Sequence, residues 1–198
     1  MKMRILFDGV NFASSSGPNA FAQKLAKQFA LSGHTLADPM ACDVQLSFIM
    51  MTTHRAPVVL RLDGIYHNSA CDYKALNTPI KNAHRIASAV IVQSEFDREL
   101  VERYIGHHDN VHVIHNGTDL DECTAAEPLQ SDHLDAFSEI WCCASSWRPH
   151  KRLAENARYF FEHAPKDACF VIAGENPDVR IADPRVFYAG QLDRPTLL

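Results

Sequence analysis

The chain opens on a short apolar run, Arg4-Ile5-Leu6-Phe7, that stops at Asp8-Gly9. Such a run, bounded by a turn pair, predicts a buried strand. A polar loop follows from Asn11 to Asn19, and then the period changes. Phe21, Leu25 and Phe29 recur at helical spacing, with Ala22 and Ala26 beside them and Gly33 as the stop. Further strands are predicted at 43–49 and 57–62. Residues 73–87 read as a weaker helix interrupted by Pro79, and Ala89 to Gln93 as another buried strand. Ser94 is a natural N-cap, and Glu95 and Asp97 suit the positive end of the helix it opens. Phe96, Leu100, Val101 and Tyr104 supply that helix with an apolar stripe, and Gly106 ends it. A strand at Val111–Ile114 then runs into His115-Asn116-Gly117-Thr118.

Residues 118–139 break the pattern. They hold seven acidic residues and no Lys or Arg, which predicts an acidic linker. Beyond them the alternation restarts: strand 140–144, a helix opening at Pro149 and running to 163, strand 169–173 before Gly174, and strand 186–188 before Gly190. Strands alternating with helices imply right-handed βαβ units and a mainly parallel sheet, hence an α/β fold. The boundaries expected are 1–120 for an N-terminal Rossmann-like domain, 121–138 for the linker, and 139–198 for a partial second Rossmann-like domain.

Composition narrows the classes. With 198 residues, 46% hydrophobic and 22% charged, the chain can form an ordinary packed core. A net charge of −5 argues against nonspecific nucleic-acid binding, so no nucleic-acid partner is expected. The six cysteines contain no C-x-x-C pair and fit reduced cytosolic thiols, with Cys142 and Cys143 acting as small apolar residues inside a strand. The charged start lacks the long apolar region of a signal peptide, and no run approaches membrane-spanning length. The expected place is cytoplasmic, with peripheral association at a membrane left open.

Against that acidic background, Arg148, Lys151 and Arg152 crowd the predicted helix start. A helix N-terminus already attracts anions, so cations gathered there suggest a phosphate-bearing ligand; the plain alternative is a solvated basic turn. The loop before the first helix, with Gly17 and Pro18, allows close backbone approach or is simply a βα turn. Asp63-Gly64 lies just past the 57–62 strand, at the rim where open α/β sheets bind ligands, and is otherwise a turn-forming pair. His107, His108, His112 and His115 fit no metal-ligand spacing and read as scattered surface imidazoles, so no metal is expected. Asn116-Gly117-Thr118 is formally a sequon, set aside for want of a secretory signal. No G-x-G-x-x-G and no Walker A loop is present, which disfavours a nicotinamide oxidoreductase and a nucleoside triphosphatase.

Taken in order, R-L-D-G-I-Y (61–66), I-V-Q-S-E-F (91–96), I-H-N-G-T-D-L (114–120), S-S-W-R-P-H-K-R-L (145–153), F-V-I-A-G (170–174) and V-F-Y-A-G (186–190) resemble the family 4 type of glycosyltransferases with the GT-B fold. The resemblance implies two Rossmann-like domains flanking a cleft, with the acceptor on the first and a UDP- or GDP-linked sugar donor on the second. It implies retaining transfer to a glycan, lipid or small-molecule acceptor, without a metal or other cofactor. Arg148 and Lys151 match the basic pair on the donor diphosphate, and Arg152 is the third cation of that candidate group. Gly17 matches the glycine loop facing the phosphates. Asp63 matches a rim position near the transferred sugar or acceptor and is the candidate catalytic residue. Asn19, Arg61, Tyr66, Ser94, Asn116 and Gly117 are placed along the same cleft.

The chain also departs from the family. Ser16 stands where a second glycine is usual, and the Arg148–Lys151 spacing is short. The sequence ends at Leu198, ahead of the family's glutamate pair, and its last glutamate is Glu175, so a nucleotide base pocket is expected to be missing. The expectation is a truncated transferase, either weakly active alone or a non-catalytic domain that binds a nucleotide sugar, a completing subunit or a second copy of itself.

Overall fold

The computed structural model describes residues 1–14, 16–126 and 131–193. The chain divides into two compact units, Met1–Gly117 and a second beginning at Thr118.

The first unit is a six-stranded parallel sheet in the order β2-β1-β3-β4-β5-β6. Its strands are β1 (Arg4–Asp8), β2 (Thr35–Leu36), β3 (Val44–Phe48), β4 (Val58–Arg61), β5 (Ala89–Val92) and β6 (Val111–Val113). The two-residue β2 carries no apolar run and escapes sequence reading. Helix α1 (Gly17–Leu31) links β1 to β2, while α2 (Tyr73–Ile86) and α3 (Glu95–Tyr104) link β4, β5 and β6. The direction of strand addition reverses at β1. The carboxyl ends of β1 and β3 therefore flank a topological switch point, where open sheets bind ligands. The main core lies under α2 and α3, with Val58, Leu60, Leu62, Ile80, Val90, Val92 and Val101 almost wholly buried.

One buried patch is polar. Asp8 Oδ2 accepts from Gln45 Nε2 at 3.0 Å, Ser47 Oγ at 2.9 Å and the Thr52 amide at 2.9 Å, and Thr52 Oγ1 donates to Oδ1. Gln45 in turn accepts from the Arg55 amide at 3.1 Å. This network fastens the loop after β3 to the end of β1, so polar residues that break the strand pattern of β3 have their partners.

Pro79 does not interrupt α2, which runs unbroken through it. Ala75 and Pro79 lie on the exposed side, where solvent can reach the carbonyl that Pro79 cannot satisfy. The predicted stripe of α3 is also narrower than expected. Val101 is buried, but Phe96 is 63% exposed in the first turn.

The second unit holds a three-stranded parallel sheet, β7-β8-β9, from Glu139–Ala144, Ala168–Ala173 and Val186–Gly190. The acidic stretch read as a linker contains structure: α4 (Leu120–Ala125), and a 3₁₀ turn whose Leu134 is buried against Cys169 and Val171. Asp119 caps α4, accepting from the amides of Asp121 at 3.2 Å and Glu122 at 3.3 Å. Part of that stretch, 127–130, lies outside the described residues. Helix α5 (Leu153–His163) covers one face of the sheet. Cys143 packs on that face, and burial pushes its thiol up to about 11. Cys142 points the other way and is exposed, so only one of the two acts as an apolar filler.

Candidate functional site

The carboxyl ends of β4, β5 and β6 bring together four side chains in a closed ring. Arg61 donates through Nη1 to Asp63 Oδ1 and through Nη2 to Asn116 Oδ1 at 3.0 Å. Asn116 Nδ2 donates to Gln93 Oε1, and Gln93 Nε2 donates to Asp63 Oδ1 at 2.7 Å. Arg61 is the common source of hydrogen bonds and Asp63 the common sink. Arg61 is 4% exposed, and its guanidinium lies 3.8 Å over the Phe21 ring of α1. Asp63 Oδ2 is hidden from solvent and has no partner among the described residues. Burial pushes the Asp63 carboxyl above its ordinary value, while Arg61 and Gln93 pull against that shift. The carboxyl therefore keeps unused acceptor capacity in a dry setting.

The loop carrying Asp63 is pinned from below. Gly64 has φ 125°, a conformation that favours glycine. Asn77 of α2, buried, accepts from the Tyr66 amide at 3.0 Å and donates to the Tyr66 carbonyl at 2.6 Å. The Tyr66 side chain itself is half exposed. Ser94 uses its hydroxyl to cap α3, accepting from the Asp97 amide at 3.1 Å. Gly117 has open space around it. Arg61, Asp63 and Asn116 thus converge, whereas Ser94 is committed to its helix. Gln93, absent from the sequence-derived set, completes the ring. The signal for it was its place at the end of β5, directly before the Ser94 cap.

In the α1 entry loop, Asn19 accepts from the Asn11 amide at 2.9 Å and donates to Ser16 Oγ at 2.8 Å, holding the turn. Ser16 sits at the N-cap without a side-chain cap bond, and nothing lies within 4 Å of a β-carbon built on Gly17. The N-terminal amides of α1 therefore have no cap from the Ser16 side chain, and nothing crowds Gly17.

In the second unit the three cations do not open an α-helix. Pro149–Lys151 form a single 3₁₀ turn, Arg152 adopts a left-handed conformation (φ 59°), and α5 begins only at Leu153. The cause is anchoring on both sides. Trp147, buried, donates its indole N–H to the Ala173 carbonyl at 2.9 Å, and Leu153 is fully buried. Fixing both ends forces the intervening residues outward as a tight loop. Arg148 and Lys151 are exposed, with no ion-pair partner among the described residues, while Arg152 pairs with Glu155 at 3.6 Å. Beyond the ends of β8 and β9 lies a concavity of about 400 Å³ lined by Gly174, Glu175, Asn176, Arg180, Tyr188 and Gln191. The Arg180 guanidinium sits 4.6 Å over the Tyr188 ring.

The histidines do not converge on one point. His107 lies 3.4 Å from Glu102 and 3.2 Å from Asp109, His108 reaches the Ala87 carbonyl at 3.0 Å, and His112 meets Asn110 at 2.8 Å. His115 donates to the Gln93 carbonyl at 2.9 Å. Among the described residues no group of His, Cys, Asp or Glu is disposed to hold a metal ion, and no helix is long and apolar enough to cross a membrane.

Parallel sheets with strand-end sites define a GT-B-like α/β protein, and solved structures agree. HepE of Anabaena crystallised with UDP and glucose is similar over 98% of this chain and 71% of that one, with a TM-score of 0.65 at 15% identity. The same protein with UDP-glucose gives a TM-score of 0.64. TarM is similar over 78% of this chain and 34% of its own, with a TM-score of 0.51 at 16% identity. Among curated proteins no sequence matches. The profile of Glycosyltransferase Family 4 matches residues 15–122, more than half of the chain. The chain belongs to that glycosyltransferase family.

Proposed function

We propose that this chain binds a nucleotide-sugar donor, UDP- or GDP-linked, and serves its transfer to a glycan, lipid or small-molecule acceptor, with retention and without a metal. The observation that carries the reading is the exposed 148–152 turn, which presents Arg148 and Lys151 without carboxylate partners among the described residues, between two buried anchors. A diphosphate leaving group needs positive charge, and a planar guanidinium beside an ammonium supplies it. The UDP and UDP-glucose bound by HepE support the nucleotide assignment. On the first unit, Asp63 is the carboxylate for a hydroxyl of the transferred sugar or the acceptor; its unpaired Oδ2 is closed to solvent here, so a ligand reaches it only when the surrounding loop opens. Gly17 and the start of α1 offer backbone amides for a phosphate.

Isothermal titration with UDP, GDP and UDP-glucose, in EDTA and again in Mg²⁺, tests this. Binding that survives EDTA and weakens about tenfold or more in Arg148→Ala and Lys151→Ala is expected. Absence of binding to every nucleotide, or variants indistinguishable from wild type, overturns it.

A second reading has its own observation. In the first unit a cavity of about 370 Å³ lies between α1 and the sheet, lined by Phe21, Leu25, Phe29, Val59 and Ile91, and Ile114 at its edge is 54% exposed. Such an apolar hollow suits a completing subunit or a second copy. A monomer by light scattering at high concentration disfavours that reading and removes its second-copy form.

A further inference from the structure

We propose that Gln93 is a positioning residue for Asp63, fixing which carboxylate oxygen is bonded within the protein and which is left unpaired; this rests on the reading of Asp63 given above. Gln93 lies 30 residues from Asp63 and follows a different strand. Its amide is polarised from both ends at once. Nε2 faces Asp63 Oδ1 at 2.7 Å and the Leu62 carbonyl at 3.4 Å, both acceptors. Oε1 faces the Nδ2 donor of Asn116. Only an amide with its nitrogen toward Asp63 satisfies both sides.

Two consequences follow from that orientation. First, Oδ1 of Asp63 takes both bonds, from Arg61 and Gln93, which leaves the buried Oδ2 unpaired among the described residues. Second, the ring closes through Arg61 and Asn116, so the ends of three neighbouring strands are held in one register and the carboxylate plane is fixed with them. Asn116 alone cannot do this, because its amide contacts Arg61 and Gln93 rather than Asp63. A role limited to tying strand ends together would need only the Asn116 and Leu62 contacts. The direct bond to the carboxylate is the additional feature, and hydrogen bonding to a charged form favours that form.

The test is a pH titration of the Asp63 carboxyl carbon by NMR in ¹³C-aspartate-labelled chain, wild type against Gln93→Leu and Gln93→Glu. Asp63→Asn provides the resonance assignment. Removing the donor raises the Asp63 midpoint by about one pH unit, and Gln93→Glu raises it further by placing a like charge beside it. Thermal unfolding of each variant shows whether it folds; if Gln93→Leu does not, Gln93→Glu, close in size, decides the matter. Alongside, UDP-glucose hydrolysis is followed across pH. The acidic limb of its rate is expected to move with the NMR midpoint, and the donor KM to stay within about twofold, because the contact is made to Asp63 and not to the donor. An Asp63 midpoint that stays put in a folded Gln93 variant overturns the positioning role. A midpoint that moves while the rate profile does not overturns it as well. A wild-type chain that turns over no donor sinks the functional reading of Asp63, and the NMR titration then decides the Gln93 contact on its own.

Discussion

Gly174 lies directly under the Ser145 carbonyl. A β-carbon built on it would fall 2.8 Å from the carbonyl carbon and closer still to the oxygen. With φ 108°, the residue also holds a conformation that side chains disfavour. The two loops at the carboxyl ends of β7 and β8 are therefore in backbone contact, and the Trp147 indole bond to Ala173 runs alongside.

Gly174→Ala is thus expected to cost about 3 kcal/mol, from strain and overpacking together. Both tryptophans, Trp141 and Trp147, lie in the second unit, so the urea midpoint followed by tryptophan emission reports that unit. An unchanged midpoint would show that the Ser145 loop can shift freely.

Asp8→Ala strips the carboxylate from two buried side-chain donors, on Gln45 and Ser47, and from the exposed Thr52. Gln45 keeps the Thr53 carbonyl and Ser47 Oγ as acceptors, so the main cost is the Ser47 hydroxyl, about 1–3 kcal/mol when orphaned. The first unit should lose about 1–3 kcal/mol, seen by circular dichroism in a urea titration, while tryptophan emission changes little.

His84 should make the first unit sensitive to mild acid. The residue is 4% exposed, and its Nε2 has no partner among the described residues. Burial, then His108 and His107, pull its pKa down from the ordinary 6.5, so the folded chain keeps the ring neutral. Below about pH 6.5 the unfolded chain binds the extra proton first. The stability contribution is therefore complete above that pH and is lost as pH falls toward the depressed folded value. His84→Leu should flatten this part of the stability curve measured by urea unfolding between neutral pH and pH 5.

Thiol labelling should separate the cysteines by environment. Cys71, Cys123 and Cys142 are exposed and should react first with a maleimide followed by peptide mass spectrometry. Cys169 is buried, and Cys143, its thiol held up at about 11, should lag well behind its neighbour Cys142.

Much of this fold was written in local signals. The strand at Ala89–Val92 and the Ser94 cap with its acidic first turn were legible because period and cap sit within a few residues. The acidic stretch hid α4, since its charge outweighed the Asp119 cap in the reading. The left-handed Arg152 was invisible, because the force that bends it there is the burial of Trp147 and Leu153 on either side, a tertiary effect. The same division runs through the site. Arg61, Asp63 and Asn116 could be found from their places at strand ends, but Gln93 joins them only once parallel pairing brings the ends of β4, β5 and β6 side by side.

The Asn77 clamp ties the Asp63 loop to a helix rather than to the sheet. Backbone amides in β4 exchange with deuterium only when the sheet opens, but the Tyr66 amide is guarded by a side chain from the second turn of α2. Its exchange should keep pace with the fraying of that helix, so this rim loop loosens on the helix's clock well before the strands beneath it let go.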